Sequence, residues 1–336
     1  MSGKTQAGKT MAGKPNEMST ARKPTIAIVG AGSLATFLAV ALDDAGFTIT
    51  EIVARDSPHS RRKASKLAAK VGAHSVTAHS AALDADLLWF CVPDREIRTA
   101  ASALAAHLAV RTSRVETGLA PSPAAASRVS THKPARPQGK PYYQVRFAFH
   151  SSGALVSREL DSLCPAGTAL ASVHPLMTFV AGAHPSLQGV PFAIEGDRKA
   201  TRVAERIVHR LGGESFSLPA ARKAAYHAWA TMTSPLLLAY LVTLEEAARG
   251  AGLSRHDARR ASLPIIRQTL ANYSRLGPAR SFSGPMVRGD AETVAKHLAA
   301  LKKHPRPREV YVALARAALR DLPVKNQNEL KRMLQK

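Results

Sequence analysis

The chain has 336 residues, 45% of them hydrophobic, which is enough for about two globular domains with ordinary cores. No apolar run reaches the roughly 18 residues that a membrane span needs, and the first residues do not resemble a signal peptide. The two cysteines, Cys91 and Cys164, are too few for a disulfide framework. These features exclude the membrane and disulfide-rich secreted classes, so we expect a cytoplasmic protein with no metal site.

The formal net charge of +23 is large, but most of it falls in three segments, residues 1–23, 111–147 and 302–336. Two of these segments have the composition of tails or loops. None interleaves arginine with aromatic side chains as base-stacking surfaces do. We therefore expect solvated tails rather than a nucleic-acid interface, with polyanion binding kept as an alternative.

Residues 3–10, GKTQAGKT, match the phosphate-loop pattern G-x-x-x-x-G-K-[ST] letter for letter. That loop binds phosphate only when a buried strand precedes it and a helix follows it. Here the preceding residues are Met1 and Ser2, and the following residues lack apolar periodicity. The phosphate site is therefore expected elsewhere, and residues 1–23 are predicted to be a disordered basic tail.

From residue 25 onward, short apolar strands alternate with amphipathic helices, which is typical of a parallel sheet covered by helices on both faces. A stretch rich in proline, serine and basic residues, 111–141, is predicted to be a disordered insertion. From residue 220 onward only helical periodicity remains. We predict a doubly wound α/β Rossmann-like domain over residues 24–219, an all-α domain over 220–322, and a basic helix or tail over 323–336.

The first strand and helix enclose VGAGSLA, in which Gly30, Gly32 and Ala35 form the G-x-G-x-x-A dinucleotide fingerprint around Ser33 and Leu34. The motif follows an apolar strand and opens a helix, as dinucleotide binding requires. The first glycine permits the tight turn, and the second leaves room for a pyrophosphate. We predict that this turn binds the phosphates of a dinucleotide.

The end of the second strand, VARDSPHSRR, indicates which dinucleotide binds. Arg55 and Ser57 are placed to contact a 2′-phosphate, with Arg61 and Arg62 on the following turn, so we favour NADP over NAD. Asp56 is the complication, because a carboxylate directed into the pocket would favour the ribose hydroxyl of NAD.

Ligands of doubly wound sheets lie beyond the carboxyl ends of the strands, where three further strand ends supply candidates. The candidates for cofactor contact are Val92, Pro93 and Ser151, those for substrate contact are Ser152 and His174, and the candidate for proton transfer is His150. Simple turn capping is the alternative role for each of them.

The helical part adds two candidate groups. Lys223 and His227 lie one turn apart on one helix face, where they could donate a proton to a substrate during hydride transfer; a solvated lysine beside a half-buried histidine is the alternative. Arg288 could bind an anionic substrate or pair with Asp290. Asp290 itself is predicted to cap a helix with Thr293 at its third position.

Several strings in this order resemble one family. VGAGSLA, FCVPD, FHSSGAL, SVHPLMTF, GVPFAIEGD, KAAYHAWA and SGPMVRGDAETVAKHLAAL look like bacterial proteins that join a Rossmann-like domain to a domain of unknown function 2520. That family is similar in architecture to pyrroline-5-carboxylate reductase, prephenate dehydrogenase and the β-hydroxyacid dehydrogenases. The resemblance implies an NADP-binding domain, a dimer-forming helical domain and an oxidoreductase activity.

Lys223 and His227 also resemble the K-x-x-x-N pattern of the β-hydroxyacid dehydrogenases, with histidine in place of asparagine. Ser234 and Pro235 stand where relatives tend to have asparagine, and the proline predicts a helix kink. The leading hypothesis is an NADP-dependent oxidoreductase of a small oxo, hydroxy or imino compound. The alternative is a dinucleotide-binding sensor or scaffold without turnover.

Overall fold

The computed structural model describes residues 22–116, 145–183 and 185–335. The chain divides into two compact units, one ending at His227 and the other beginning at Ala228. The predicted tail falls outside the described residues up to position 21, as does the predicted insertion from position 117 onward.

Eight strands in the first unit form a single sheet in the order β3-β2-β1-β4-β5-β6-β7-β8. The strands are β1 (Ile26–Val29), β2 (Ile49–Ala54), β3 (His74–Thr77), β4 (Leu87–Phe90), β5 (Phe147–His150), β6 (Ala169–Pro175), β7 (Pro191–Gly196) and β8 (Glu214–Ser217). The central strands IAIV, LLWF and FAFH are buried at every position, as expected for parallel strands covered on both faces. The predicted doubly wound fold is confirmed.

The sheet differs from the prediction at one edge. β6 and β7 are antiparallel, and β8 is parallel to β7. β7 and β8 are therefore antiparallel to strands β1–β6. The described residues between β6 and β7 form no crossover helix, and without such a helix a chain returning to the same sheet pairs antiparallel.

The helices of the first unit cover both faces of the sheet. They are α1 (Ser33–Asp44), α2 (Pro58–Lys70), α3 (Asp94–Glu116), α4 (Arg198–Arg210) and α5 (Lys223–Thr233), the last of which continues into the second unit. Buried residues of α1, α2 and α4 share one core cluster, while those of α3 and of a 3-10 segment, Ser157–Ala166, share the other. This arrangement gives the three layers of a doubly wound domain.

Two predicted boundaries need correction. α3 continues to Glu116, so the helix extends six residues into the segment predicted as an insertion. Lys23, predicted as part of the tail, is anchored, because its Nζ donates to the Ala45 carbonyl oxygen at 2.8 Å and lies 5.4 Å from the Phe47 ring centroid.

The second unit is helical throughout the described residues. Its further helices are α6 (Pro235–Arg249), α7 (Arg255–Leu276), α8 (Pro278–Ser281), α9 (Pro285–Arg288), α10 (Ala291–Ala300), α11 (Pro305–Asp321) and α12 (Gln327–Gln335). The predicted kink at Ser234 is a complete break between two helices. The predicted cap is confirmed, since the Asp290 carboxylate accepts from the Thr293 amide at 3.0 Å. The predicted C-terminal basic segment contains all of α12, whose Leu330 and Leu334 are buried in the core of this unit.

Candidate functional site

The two glycines of the fingerprint turn differ in their backbone conformation and in the space around them. Gly30 adopts φ +114°, and a Cβ atom there would lie 2.5 Å from the Cys91 carbonyl oxygen, so the backbone itself requires glycine. Gly32 has φ −80°, and a Cβ atom there would meet nothing within 4 Å. Gly32 is also the N-cap of α1 and offers no side-chain acceptor to the helix amides. The N-terminus of α1 therefore faces open space in which an anion can bind.

A cavity of about 650 Å³ opens beside this turn. It is lined by Gly30 and Gly32 from the turn, by the residues that follow β2 and β3, and by Val92 and Pro93 after β4. β1 and β4 are neighbours at the point where the strand order reverses, which is where doubly wound sheets bind their ligands. The predicted contacts Val92 and Pro93 thus line the same cavity as the glycines.

The end of β2 presents cations to this cavity, although not in the predicted arrangement. Arg55 lines the cavity and pairs with Glu96 at 3.0 Å, while Asp56 also lines it and pairs with Arg61 at 3.0 Å. The Ser57 hydroxyl accepts from the Ser60 amide and caps α2, and Ser57 is not among the residues that line this cavity.

Sequence reasoning missed three lining residues on α2, namely His59, Ser60 and Lys63. His59 and Ser60 lie on the first turn of α2 and Lys63 on the next, and they add a cation and a hydroxyl to the cavity. The signal was present in PHSRRK, but choosing which of its basic residues face inward required the helix orientation. Of the other two predicted turn residues, Ser33 lines a second cavity along α1, and Leu34 packs against the core.

The end of β5 is held by internal hydrogen bonds. His150 is 0% exposed, its Nε2 bonds the Val156 carbonyl oxygen at 2.9 Å, and its Nδ1 accepts from the Ser152 amide at 3.1 Å. Both ring nitrogens are therefore used by the backbone, which corrects the assignment of His150 to proton transfer. The Ser151 hydroxyl accepts from Trp89 Nε1 at 2.9 Å, so it points into the protein rather than towards a cofactor.

Lys223 lies behind the loop that follows β5 and is 1% exposed. Its Nζ donates to the Ser152 carbonyl oxygen at 2.8 Å and to Ser172 Oγ at 2.5 Å, and Ser172 in turn donates to the same carbonyl at 3.1 Å. An ammonium carries three N–H groups. No third acceptor of Lys223 lies within hydrogen-bonding distance among the described residues, so one N–H has no protein partner there.

Ser152 acts through its carbonyl group rather than its hydroxyl. The hydroxyl donates to the Asp94 carboxylate at 2.8 Å and accepts from the amides of Ala154 and Leu155. The predicted substrate contact by this side chain is therefore replaced by a role in holding the loop against α3 and orienting Lys223.

Two histidines meet the same loop at Gly153. A Cβ atom at Gly153 would lie 2.5 Å from His227 Cδ2 and 2.9 Å from His174 Nε2, so glycine is needed for both rings to approach. His174 Nδ1 is 2.8 Å from the Tyr226 hydroxyl, and the His174 and His227 ring centroids are 6.1 Å apart. The structure therefore brings His174, Lys223 and His227 to one loop.

Burial decides which of these groups carries a proton at neutral pH. It lowers the pKa of Lys223 from 10.5 to about 8, although the carboxylates of Glu195 and Asp94 oppose the shift. Burial also lowers the pKa of His150 and His174 to about 4, with the Lys223 charge acting in the same direction. At pH 7 the lysine is thus the protonated group and these two histidines are neutral.

Arg288 belongs to α9 in the second unit, where its positive charge helps to lower the pKa of Asp290, after the larger effect of the hydrogen bonds from Thr293. Burial raises the pKa of Cys91 to about 12, so this thiol stays protonated. Within residues 22–116, 145–183 and 185–335, no group of three metal-ligating side chains occurs, and no helix is both long and apolar enough to cross a membrane.

Lys223 gives the free energy of unfolding a predictable pH dependence. Its pKa is about 8 in the folded protein and 10.5 for an ordinary lysine. The cost of burying the ammonium is present in full below pH 8 and is relieved as the pH rises towards 10.5, where the unfolded chain binds the extra proton. We expect this relief to add about 3 kcal/mol of stability across that interval.

Urea denaturation measured between pH 7 and pH 10.5 checks this expectation. The Lys223→Met variant should lack the rise, whereas Lys199→Met, which removes an exposed lysine of α4, should keep the wild-type slope. Parallel curves for the wild type and Lys223→Met would show that the pKa of Lys223 is ordinary.

Two family models match the chain. One, described as a Rossmann-like domain, matches residues 11–126, and the other, described as a domain of unknown function (DUF2520), matches residues 190–318. No curated protein matches the chain. The two models together span most of the described sheet and much of the helical unit.

Solved structures share this fold over most of the chain. A Bacteroides fragilis protein, provisionally assigned as an NADP oxidoreductase, is 20% identical with a TM-score of 0.63, over 88% of this chain and 97% of that one. A reductive aminase from Aspergillus terreus, solved with NADPH and ethyl-5-oxohexanoate, is 15% identical with a TM-score of 0.55, over 93% and 100%. An imine reductase from Myxococcus stipitatus, solved with NADP+, is 13% identical with a TM-score of 0.57, over 88% and 94%.

Proposed function

We propose that this chain, which joins a Rossmann-like domain to a domain of unknown function 2520, is an NADP-dependent oxidoreductase of a small oxo, hydroxy or imino compound. The observation that carries the proposal is the buried Lys223 ammonium, which has two protein acceptors among the described residues for its three N–H groups. It sits behind the loop after β5, and β5 is two strands from the glycine turn after β1, a separation of about 10 Å. A dinucleotide bound across the turn would direct its reactive end towards this loop.

The cavity at the glycine turn fits NADP. Its size lies within the range of ordinary cofactor pockets, and the open N-terminus of α1 suits a pyrophosphate. Arg55, His59, Ser60 and Lys63 surround the part of the cavity near the end of β2, where a 2′-phosphate would bind. Asp56 lines the same region, but its pairing with Arg61 offsets its charge.

We expect the double variant Arg55→Ala/Lys63→Ala to weaken NADPH binding by roughly 1–3 kcal/mol while changing NADH binding much less, because charge-assisted contacts to the 2′-phosphate are lost. Calorimetric titration with each cofactor measures the difference. The control is Arg62→Ala, which removes an exposed arginine of α2 outside the cavity. Equal losses for NADPH and NADH would show that these residues do not recognise the 2′-phosphate.

When bound, the cofactor supplies or accepts a hydride. Reduction of a C=O or C=N group by hydride also requires a proton on the oxygen or nitrogen, and Lys223, protonated at pH 7, is the group that would give it. The Ser152 carbonyl and the Ser172 hydroxyl hold two of its N–H groups and direct the third. His174 and His227 approach the same loop at Gly153. The reductive aminase and imine reductases among the neighbours support an imino or oxo substrate.

We further propose that two copies associate through the second unit. Helices α5–α7 carry large apolar side chains that are well exposed, including Met232 at 67% and Ile265 at 68%. Exposed apolar surface on this scale is typical of a subunit interface. The resemblance to families with dimer-forming helical domains supports the same assembly.

Light scattering coupled to gel filtration tests this assembly. We expect a dimer for the wild type and a monomer for Ile265→Glu/Leu270→Glu, because two carboxylates would be buried in the interface at high cost. Glu substitutions at the exposed Arg202 and Arg206 of α4 serve as the control. A monomeric wild type at micromolar concentration would contradict the proposal.

A further inference from the structure

A second cavity of the first unit, of about 870 Å³, runs along the outer face of α1. α1 lines it from Ser33 to Asp44, a distance of about 17 Å. α2 forms one wall, and the other wall consists of residues 180–183, residues 185–187 and the C-terminal end of α4. We call this cavity the α1–α2 groove. It shares the glycine turn and Lys63 with the cofactor cavity but otherwise has its own lining.

The floor of the α1–α2 groove is apolar. The face of α1 that lines it carries Phe37, Val40 and Ala41, where an exposed helix usually has charged side chains. Phe37 packs against Phe179 with ring centroids 5.1 Å apart, so it is held in place as part of the floor. Val180 on the opposite rim is 59% exposed. Such a surface favours a ligand with an apolar face of its own.

The walls of the groove are cationic. Lys63, Lys66 and Lys70 line it at intervals of about one turn along α2, and Arg210 faces it from the end of α4. None of these four cations has an acidic partner within 4 Å among the described residues. Asp44 is the single acidic residue in the lining. The charge is therefore uncompensated, and it is spread along about 10 Å of the groove.

These charges identify the kind of occupant. The parts of this chain outside the described residues, 1–21 and 117–144, are themselves basic, and a second copy carries the same net charge of +23, so neither complements the walls. A fatty acid has one anionic end and would use one lysine. A nucleic acid would leave the apolar floor without contacts. An amphipathic helix with carboxylates along its length complements both the floor and the row of lysines.

We propose that the α1–α2 groove is a docking surface for an acidic amphipathic helix of a partner protein. The apolar face of that helix packs on Phe37 and Val40. Its glutamates or aspartates, spaced one turn apart, pair with Lys66, Lys70 and Arg210. The contacts of Lys66 and Lys70 are separate from cofactor binding, because these two residues do not line the cofactor cavity.

The probe is a labelled 14-residue synthetic peptide with leucines on one face and glutamates beside them, about 21 Å long as a helix. Fluorescence anisotropy measures its binding to the full chain at about 150 mM salt, where weak long-range attraction is screened. Two matched peptides replace the glutamates by lysines or the leucines by serines. The variant Lys66→Glu/Lys70→Glu is compared with Arg202→Glu/Arg206→Glu, which reverses two exposed charges of α4 at the same spacing and outside the groove.

We expect the glutamate–leucine peptide to bind the wild type and the Arg202/Arg206 variant equally. The Lys66/Lys70 variant should bind it at least roughly tenfold more weakly, with its NADPH affinity unchanged. Equal losses in both variants would show non-specific attraction to a basic protein and overturn the proposal. Equally tight binding of the serine peptide, or displacement of the glutamate–leucine peptide by a single-stranded oligonucleotide, would also overturn it, the latter in favour of a nucleic-acid surface.

Discussion

Replacing Gly32 by aspartate is expected to abolish NADPH binding, with a loss of affinity of at least about a hundredfold, while leaving the fold intact. The position tolerates a side chain, since its φ is −80° and a Cβ atom would meet nothing within 4 Å. The new carboxylate would occupy the N-cap of α1, where it accepts the helix amides that a pyrophosphate would otherwise use. It would also repel the phosphates directly.

Calorimetric titration with NADPH measures this loss, and thermal denaturation checks that the variant is folded. Aspartate is a better N-cap than glycine, so the melting temperature should be unchanged or slightly higher. Gly32→Ala is the matched control, because it adds a Cβ without a charge and should retain more binding. An unchanged affinity in Gly32→Asp would place the dinucleotide elsewhere.

Replacing Lys223 by methionine is expected to lower turnover by about 10²–10⁴-fold with NADPH affinity nearly unchanged. The substitution keeps the length of the side chain and removes the proton that must reach the substrate oxygen or nitrogen. The pH profile provides a second readout, because the wild-type rate should fall as the pH rises through the pKa of Lys223, about 8.

NADPH oxidation followed by absorbance on a panel of cyclic imines, ketones and 2-oxo acids supplies the assay, using the compound that the wild type reduces fastest. Lys199→Met should behave as the wild type. If Lys223→Met retained full activity, the proton would come from another group. If the wild type bound NADPH and reduced none of these compounds, a dinucleotide-binding protein without turnover would be the better account.

The parts of the site that could be predicted are formed by residues that are close together in the sequence. Gly30 and Gly32 follow a fully apolar strand and precede a helix, so the turn could be recognised from the residues next to it in the sequence. Lys223 and His227 lie one helical turn apart, and this spacing alone placed them on one face. The order of strands and helices predicted the doubly wound fold, which the structure confirms.

The parts that could not be predicted depend on contacts between distant residues. Ser172 holds Lys223 across 51 positions of sequence, and no local pattern indicates such a contact. His150 was misassigned because a histidine at a strand end has the same sequence whether its ring faces a cleft or bonds the backbone. The start of the 111–141 segment was placed too early, because the last turns of α3 carry polar residues resembling those of a loop.

The most direct test of the central claim is a crystal structure of the protein with NADPH. Hydride transfer places the reacting carbon about 3–3.5 Å from its donor, and proton transfer requires Lys223 within hydrogen-bonding distance of the adjacent oxygen or nitrogen. We therefore expect the pyrophosphate over Gly32 and the nicotinamide C4 within roughly 7 Å of Lys223 Nζ. A pyrophosphate away from the glycine turn, or a nicotinamide C4 more than roughly 10 Å from Lys223 Nζ, would contradict this expectation.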